Sequence, residues 1–395
     1  MSHDIALIST IAVSLAFAFV GGFIAVRLRL PPLVGYLLAG IAVGPFTPGF
    51  VADAGLATQL AEIGVILLMF GVGMHFSLRD LWALRLIALP GAVVQIIIAT
   101  ALGTVLAVFW GWSIGGGLVL GLALAVASTV VLLRALEQHG LVHSGDGRIA
   151  VAWLVVEDLV MVLVLVLLPA LSGQLGGHAP AGAGAGDVLT TLAATLGKVA
   201  AFIALMLVVG VRLLPFLLDQ VARTGSRELF TLAVVAVALG IAFGSAEYFG
   251  VSYALGAFFA GIVLNESDHS HRASSETQPL QDAFAVLFFV SVGMLFDPGI
   301  LIRQPLQVLA VLAIVIVGKS AVALLIVVLL RYPIATALAV AAGLAQIGEF
   351  SFILAGLGVS LGLLPDEGQH LILAAALLSI TLNPLIFHLA AKVPH

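Results

Sequence analysis

Leu67 to Phe76 reads LLMFGVGMHF, and Leu287 to Phe296 reads LFFVSVGMLF. The two segments share Leu, Val, Gly, Met and Phe at an offset of 287 − 67, or 220 residues. Upstream, Ala39-Gly40-Ile41 recurs as Ala260-Gly261-Ile262 at an offset of 221. One short match arises by chance in so apolar a chain; two at nearly one offset point to an internal duplication, the weak internal symmetry found in many membrane carriers. What the duplication means depends on how many membrane spans separate its copies.

The 395 residues are 62% hydrophobic and 9% charged, where a soluble domain carries about 25% charged residues. The solvent of this chain is therefore a bilayer. A net charge of −5 provides no basic stripe for nucleic acid, and the absence of cysteine excludes disulfides, thiolate metal sites and thiol catalysis. The start, with Met1, Ser2 and the acidic Asp4, lacks the basic n-region and cleavage site of a signal peptide, so the first helix is expected to stay as a span.

Apolar runs of about 17–25 residues, cut at polar, Pro and Gly clusters, predict an all-α polytopic protein of about thirteen spans. They lie near 5–26, 31–48, 55–75, 84–110, 114–137, 148–171, 188–216, 228–246, 249–265, 280–297, 305–331, 334–359 and 368–391. One set of alternate loops, with the C-terminus, then holds Arg27, Arg29, Arg79, Arg85, Arg134, Arg148, Arg212, Arg223, Arg227, Arg272, Arg331 and Lys392; the other holds only Lys198 and Arg303. Basic residues stay on the cytoplasmic side, which predicts an outside N-terminus and a cytoplasmic C-terminus.

On this numbering the third span maps onto the tenth and the second onto the ninth. An odd shift of seven reverses direction, so the halves, about 31–171 and 249–391, are predicted to form an inverted-topology repeat. The Gly/Ala-rich stretch 172–187 between them reads as a flexible linker. In such carriers the binding site lies near the midplane, where helices are interrupted.

Polar interruptions fall at matching places. Ser128-Thr129 breaks the run ALAVASTVVLL, and adding 220 gives Gly348-Glu349 within AQIGEFSF, which also contains Gln346 and Ile347. The alternative for Ser128 and Thr129 is an unbroken helix in which both hydroxyls bond back one turn. Charges at membrane depth are costly and therefore functional candidates. Asp158 and Glu157 sit mid-way along the sixth span, and Lys319 mid-way along the eleventh. Neighbouring residues on a helix point about 100° apart, so if one acid lines a cavity the other is expected to face a neighbouring helix. The offset maps Asp158 onto Leu378 and Lys319 onto Ala99, so the charges break the symmetry of the scaffold.

A carboxylate in a wet midplane cavity holds a proton or a desolvated cation in turn, the simplest basis of antiport. The competing structural reading is a buried ion pair that merely locks two helices. Lys319 either pairs with one of the acids or offsets negative helix ends at the break; Glu349 either faces positive helix ends or ligates the ion. Asn265 and Glu266 open the segment LNESDHSHRASSETQPL (264–280), read as a cytoplasmic loop that is a gate, a regulatory contact or a plain connector. His269 and His271 within it lack a third metal ligand, and no metal site is expected beyond the transported ion at Asp158. Glu62 is read as an interfacial anchor, Glu247 as a solvated helix end, and Trp153 and Tyr253 as packing or interface residues.

The segments LPPLVGYLLAGIAVGP (30–45), VVEDLVMVL (155–163), AGIVLNES (260–267), LFFVSVGM (287–294) and AQIGEFSFILA (345–355) resemble the monovalent cation:proton antiporter-2 family. Within it the likeness is to Kef-type potassium/proton antiporters, most of all the YbaL branch. The resemblance implies a sodium/proton-antiporter-like fold with two crossed broken helices and a homodimer working by elevator-like alternating access. It implies dimerisation helices at about 5–75 and 228–297 and core helices at about 84–171 and 305–391. It also implies Asp158 as the ion-binding carboxylate, Lys319 as its basic partner, and Ser128-Thr129 and Ile347-Gly348 at the crossover.

Kef relatives tend to carry Gln where this chain has Glu157, a pairing of acids that resembles electrogenic sodium/proton exchangers. They usually continue into a cytoplasmic nucleotide-binding domain, which these 395 residues do not include; no cofactor is expected in this chain, and a nucleotide only in such a further domain. The expected partners are potassium or sodium ions, protons, the lipid of a bacterial inner membrane and a second copy of the chain. A cation channel or potassium efflux pathway with a broken-helix pore is the alternative. An enzyme is not expected, since no HExxH run or Ser-His pair lies at membrane depth.

Overall fold

The computed structural model describes residues 3–48, 53–75, 78–141, 144–178 and 188–390. Among these all regular structure is helical. The first part runs α1 (His3–Arg27), α2 (Pro32–Val43), α3 (Ala54–His75), α4 (Leu78–Phe109), α5 (Ile114–Ala125), α6 (Thr129–Gln138) and α7 (Gly145–Leu171). Next come α8 (Val188–Leu205), a π turn (Met206–Gly210) and α9 (Val211–Ala222). The remainder is α10 (Arg227–Phe249), α11 (Tyr253–Asn265), α12 (Ser270–Met294), α13 (Ile300–Arg303), α14 (Pro305–Ala313), a second π turn (Ile314–Lys319), α15 (Ser320–Leu329), α16 (Ile334–Leu344), α17 (Glu349–Ser360) and α18 (Asp366–Ala390).

Nine helical segments among the described residues are long and apolar enough to cross a bilayer, and the bent pair α16–α17 makes a tenth. The other three expected spans correspond to α2 and α11, which are short, and to α12, whose first half is polar. The chain is a multi-pass membrane protein.

The duplication is legible helix by helix. Subtracting 220 from the first residues of α16 and α17 gives 114 and 129, where α5 and α6 begin. The same shift takes the first residue of α10 to residue 7, inside α1. The helix α8–α9 lies between the copies.

The chain divides into two compact units. The first comprises 1–20, 36–77 and 182–294. Two close helix crossings shape it, and both use the glycines of the matched segments. A Cβ on Gly40 would lie 2.1 Å from the Val290 carbonyl oxygen, and one on Gly293 2.2 Å from that of Leu37. In the other crossing, Gly73 would meet Phe258 O at 2.2 Å and Gly261 would meet Phe70 O at 2.2 Å. The repeat carries Gly40 onto Gly261 and Gly73 onto Gly293, so α2 on α12 and α11 on α3 are one contact seen twice. Only a missing side chain lets backbones approach so closely.

The second unit comprises 21–35, 78–181 and 295–395. Its apolar centre gathers Ile87, Leu132, Trp153, Val340 and Phe387 from α4, α6, α7, α16 and α18. The start of the expected linker belongs here and is folded. Ser172 Oγ donates to the carbonyls of Pro169 (2.8 Å) and His178 (2.6 Å), and the His178 amide donates to Leu361 O at 2.7 Å. Residues 172–178 thus make a tight turn, while 179–187 lie outside the described residues.

The segment 264–280 departs further from expectation. Only the stretch between Asn265 and Ser270 is a connector; the rest is the first half of α12. Its polarity hides a helix because hydropathy reports the solvent, not the backbone. Arg272 Nε binds Glu276 Oε1 at 3.0 Å one turn on, Thr277 Oγ1 bonds Ala273 O at 2.7 Å, and Gln281 Nε2 donates to Thr277 Oγ1 at 2.9 Å. His269 Nε2 lies 3.8 Å from Asp219 Oδ1. Glu62 and Glu247 are exposed, Trp153 is fully buried, and Tyr253 is partly exposed at the start of α11.

Glu276 also accepts from Thr231 Oγ1 at 3.0 Å, with Arg227 Nε 3.9 Å away. Burial pulls its carboxyl upward, but the hydrogen bonds from Arg272 and Thr231 and the charges of Arg272 and Arg227 outweigh it and hold the group below the usual range. A lowered carboxylate stabilises the fold above its unfolded pKa, about 4.3, and loses that contribution as pH falls through the folded value. The gap in unfolding temperature between wild type and Glu276→Gln is therefore expected to be widest near neutrality and to close below about pH 4. For the crossings, Gly73→Val and Gly293→Val are each expected to cost about 1–3 kcal/mol or more in detergent unfolding. Gly240→Ala in α10, with nothing within 4 Å of its Cβ, is expected to be neutral or stabilising.

Candidate functional site

Both helical interruptions lie in the second unit. The first begins where α5 gives way to extended backbone at Val126 (φ −103°, ψ 136°). Ser128 then caps α6: its Oγ accepts the Val131 amide at 3.3 Å, the role Ser favours at a helix start. The hydroxyl bonds forward, so the unbroken-helix alternative fails. The second interruption runs from Ala345 to Gly348, which is extended (φ −104°, ψ −179°) and precedes α17; the helices on either side are bent by 43°.

The two breaks touch. Gly348 N donates to Val126 O at 3.1 Å, and a Cβ at Gly348 would lie 2.5 Å from Ala127 O. Gln346 joins them as an added peptide group: Ser128 N donates to its Oε1 at 2.9 Å, and its Nε2 returns a bond to Ser128 O at 3.0 Å. Backbone freed from helices at membrane depth must find partners inside the protein. Here Gln95 Nε2 donates to Ala125 O (3.0 Å), Ser351 Oγ to Ala123 O (2.5 Å) and Asn383 Nδ2 to Ala342 O (2.8 Å), while Ser379 Oγ accepts the Ile347 amide (3.3 Å).

The charged residues complete this set. Glu157 Oε2 accepts the Ala127 amide at 2.9 Å, and Thr129 Oγ1 donates to Asp158 Oδ2 at 3.1 Å. Both acids of α7 therefore reach the neighbouring α5–α6 break, because it offers Ala127 and Thr129 two residues apart. Lys319 ends the second π turn and donates to Gln346 O at 2.7 Å. Such turns gather at functional sites.

No carboxylate oxygen lies within 4.0 Å of the Lys319 ammonium among the described residues, although its charge faces Glu157. Glu349 opens α17, and its charge and that of Glu157 act on Asp158. Carboxylates thus meet positive helix starts and the ammonium meets the carbonyls that close α16, as helix dipoles favour. All four charged side chains are at most 5% exposed, and Asp158 Oδ1, Glu157 Oε1 and Glu349 Oε2 are buried without a protein hydrogen-bond partner.

Of the residues marked in the sequence, Ser128, Thr129, Glu157, Asp158, Lys319, Gln346, Ile347, Gly348 and Glu349 come together. Asn265 and Glu266 belong to the first unit, at the end and cap of α11. Sequence reading missed Gln95, Ser351, Ser379 and Asn383. Single neutral polar residues barely perturb an apolar run; the one available signal was the four-residue spacing of Ser379 and Asn383, which puts both on one face of α18.

Crossed interruptions carrying buried charge on a duplicated helical frame define a secondary transporter of the inverted-repeat class. The chain belongs to the sodium/hydrogen exchanger family of transmembrane proteins, whose family profile matches residues 15–393. YbaL of Escherichia coli strain K12, whose name gives it provisionally as a cation/proton antiporter, is 60% identical over 392 residues, covering 99% of this chain and 70% of its own length. The glutathione-regulated potassium-efflux system protein KefC of Salmonella heidelberg is 32% identical, covering 94% of this chain and 58% of KefC. In fold, the chain superimposes on the sodium proton antiporter MjNhaP1 of Methanocaldococcus jannaschii with a TM-score of 0.75 at 17% identity, over 99% of each.

The crossing can be tested by unfolding in detergent. Gln346→Ala leaves the Ser128 amide without its partner and is expected to cost about 1–3 kcal/mol. Gln346→Glu keeps the acceptor but sets an acidic oxygen against the Ser128 and Gly343 carbonyls and is expected to cost at least as much, and Gly348→Ala, which forces backbone apart, to cost more.

Proposed function

We propose that this protein exchanges a monovalent cation, potassium first and sodium second, for protons, the two competing for Asp158. The observation that carries this is the state of the Asp158 carboxylate. One oxygen is oriented only by the Thr129 hydroxyl at the start of α6, not by a backbone amide as in Glu157; the other, like one oxygen each of Glu157 and Glu349, is buried and bonded to nothing in the protein. A desolvated carboxylate left so is costly, and a proton or a bare cation relieves the cost equally well in kind. Binding one excludes the other, and carrying either across couples the two gradients.

Glu157 is committed to the Ala127 amide and Lys319 to the Gln346 carbonyl, which supports positioning and charge-balancing roles beside Asp158. The names of YbaL and KefC support cation/proton exchange and potassium as cargo. The helices at about 84–171 and 305–391 are then the moving core and those at about 5–75 and 228–297 the dimerisation frame, with elevator-like alternating access between them. The basic-residue asymmetry supports an inner-membrane protein with its N-terminus outside. A nucleotide-binding domain, if present in the whole protein, acts from the cytoplasmic side.

Proteoliposomes with an internal pH dye test this. Adding potassium, sodium or lithium is expected to drive proton movement in wild type, and Asp158→Asn to abolish it. Lys319→Ala is expected to retain a measurable fraction. Cation current without obligatory proton movement would establish the channel alternative instead, and equal, total loss in both variants would make Lys319 itself the proton carrier.

A further inference from the structure

The second unit holds a cavity of about 140 Å³ away from the crossed breaks, lined by Arg29, Pro32, Arg134, Gln138, His139 and Asn383 among others. It lies between the α1–α2 turn, the end of α6 and the end of α18. At roughly 30 Å³ per water it has room for four or five waters, and so for the five heavy atoms of a phosphate group.

Its charge is one-sided. Two arginines, both exposed, line it and no acidic residue does. Neither guanidinium forms an ion pair or side-chain hydrogen bond among the described residues, unlike Arg223, Arg272 and Arg303, which all engage acids. Retention of basic residues on one side of a membrane explains their number at this end but not their convergence on one hollow.

Backbone geometry adds a separate observation. Arg29 closes α1 with φ 61°, one of two non-glycine residues in the left-handed region among those described. Leu30 N bonds Ala25 O at 2.8 Å across it, the usual helix-ending arrangement in which glycine is preferred. At the offset of 221 seen for Ala39-Gly40-Ile41, the end of α10 has Gly250 at that position, φ 64°. The chain keeps arginine where its own second copy uses glycine, and strain of this kind accompanies functional positions.

We infer that this cavity binds a phosphate-bearing anion, held by Arg29 and Arg134 with Gln138 as a further donor. Guanidinium pairs match phosphate oxygens in geometry and charge, and basic pockets between membrane helices take phosphate headgroups. A bound phosphate would tie the α1–α2 turn to the end of α6, whose other end carries Thr129 and orients Asp158. That gives an anion a route to the exchange site without entering it.

The test uses the full chain in phosphatidylcholine nanodiscs, with unfolding temperature read against added inorganic phosphate, and in parallel in phosphatidylglycerol nanodiscs without phosphate. Wild type is expected to be stabilised in one arm or both. Stabilisation by inorganic phosphate makes a soluble phosphate the ligand class, and stabilisation by phosphatidylglycerol alone makes it a lipid headgroup. Arg29→Gly, which relieves the strained backbone and so preserves the fold, and Arg134→Gln are each expected to weaken the effect about tenfold. Arg27→Gln removes an equal charge nearby, from an arginine that stacks on Phe23 instead, and is expected to leave it unchanged. No stabilisation in either arm, or equal weakening by Arg27→Gln, would overturn the assignment.

Discussion

In a membrane every backbone amide and carbonyl must be satisfied by the protein itself, and the rest of this structure follows from how two broken helices meet that demand. Neither break could exist alone. The amide of Gly348 needs the carbonyl of Val126, and Ser128 needs both ends of the Gln346 amide. Charged side chains enter the same network: Glu157 takes an amide from one break and Lys319 a carbonyl from the other. Removing either would leave an unsatisfied backbone group as well as an unbalanced charge, so these residues hold the site open as much as they charge it.

The scaffold is symmetric and the chemistry is not. The duplication supplies two equivalent breaks and two equivalent glycine crossings, which place Thr129 and Glu349 at matching helix starts. Asp158 and Lys319 have apolar counterparts, Leu378 and Ala99. A symmetric pair of acids would repel one another across the crossing; the asymmetric arrangement instead sets three buried acids, each with one oxygen that has no protein partner, against one ammonium.

Much of this was readable in the sequence because it rests on offsets and on the cost of charge in lipid. Two short matches at 220 and 221 residues turned out to contain the four glycines at which the helices of the first unit cross. The same offset carried Ser128-Thr129 onto Gly348-Glu349, the cap and first residue of each restarted helix. What remained hidden lacks any hydropathy signal. Gln95, Ser379 and Asn383 are ordinary in an apolar helix, the polar half of α12 reads as loop, and the joint reach of Glu157 and Asp158 depends on where the break puts Ala127 and Thr129. Side-chain direction on a helix cannot anticipate a partner that is itself irregular.

The proposed competition for one carboxylate makes a quantitative demand on exchange kinetics. Each unit of falling pH multiplies the ratio of proton-bound to proton-free site tenfold, so the cation concentration for half-maximal exchange must rise about tenfold per unit on the acid side, with the maximal rate unchanged. Initial rates in proteoliposomes, measured against potassium concentration at a series of pH values, read this directly. A half-saturating concentration that stays constant while only the maximal rate changes would contradict a shared site.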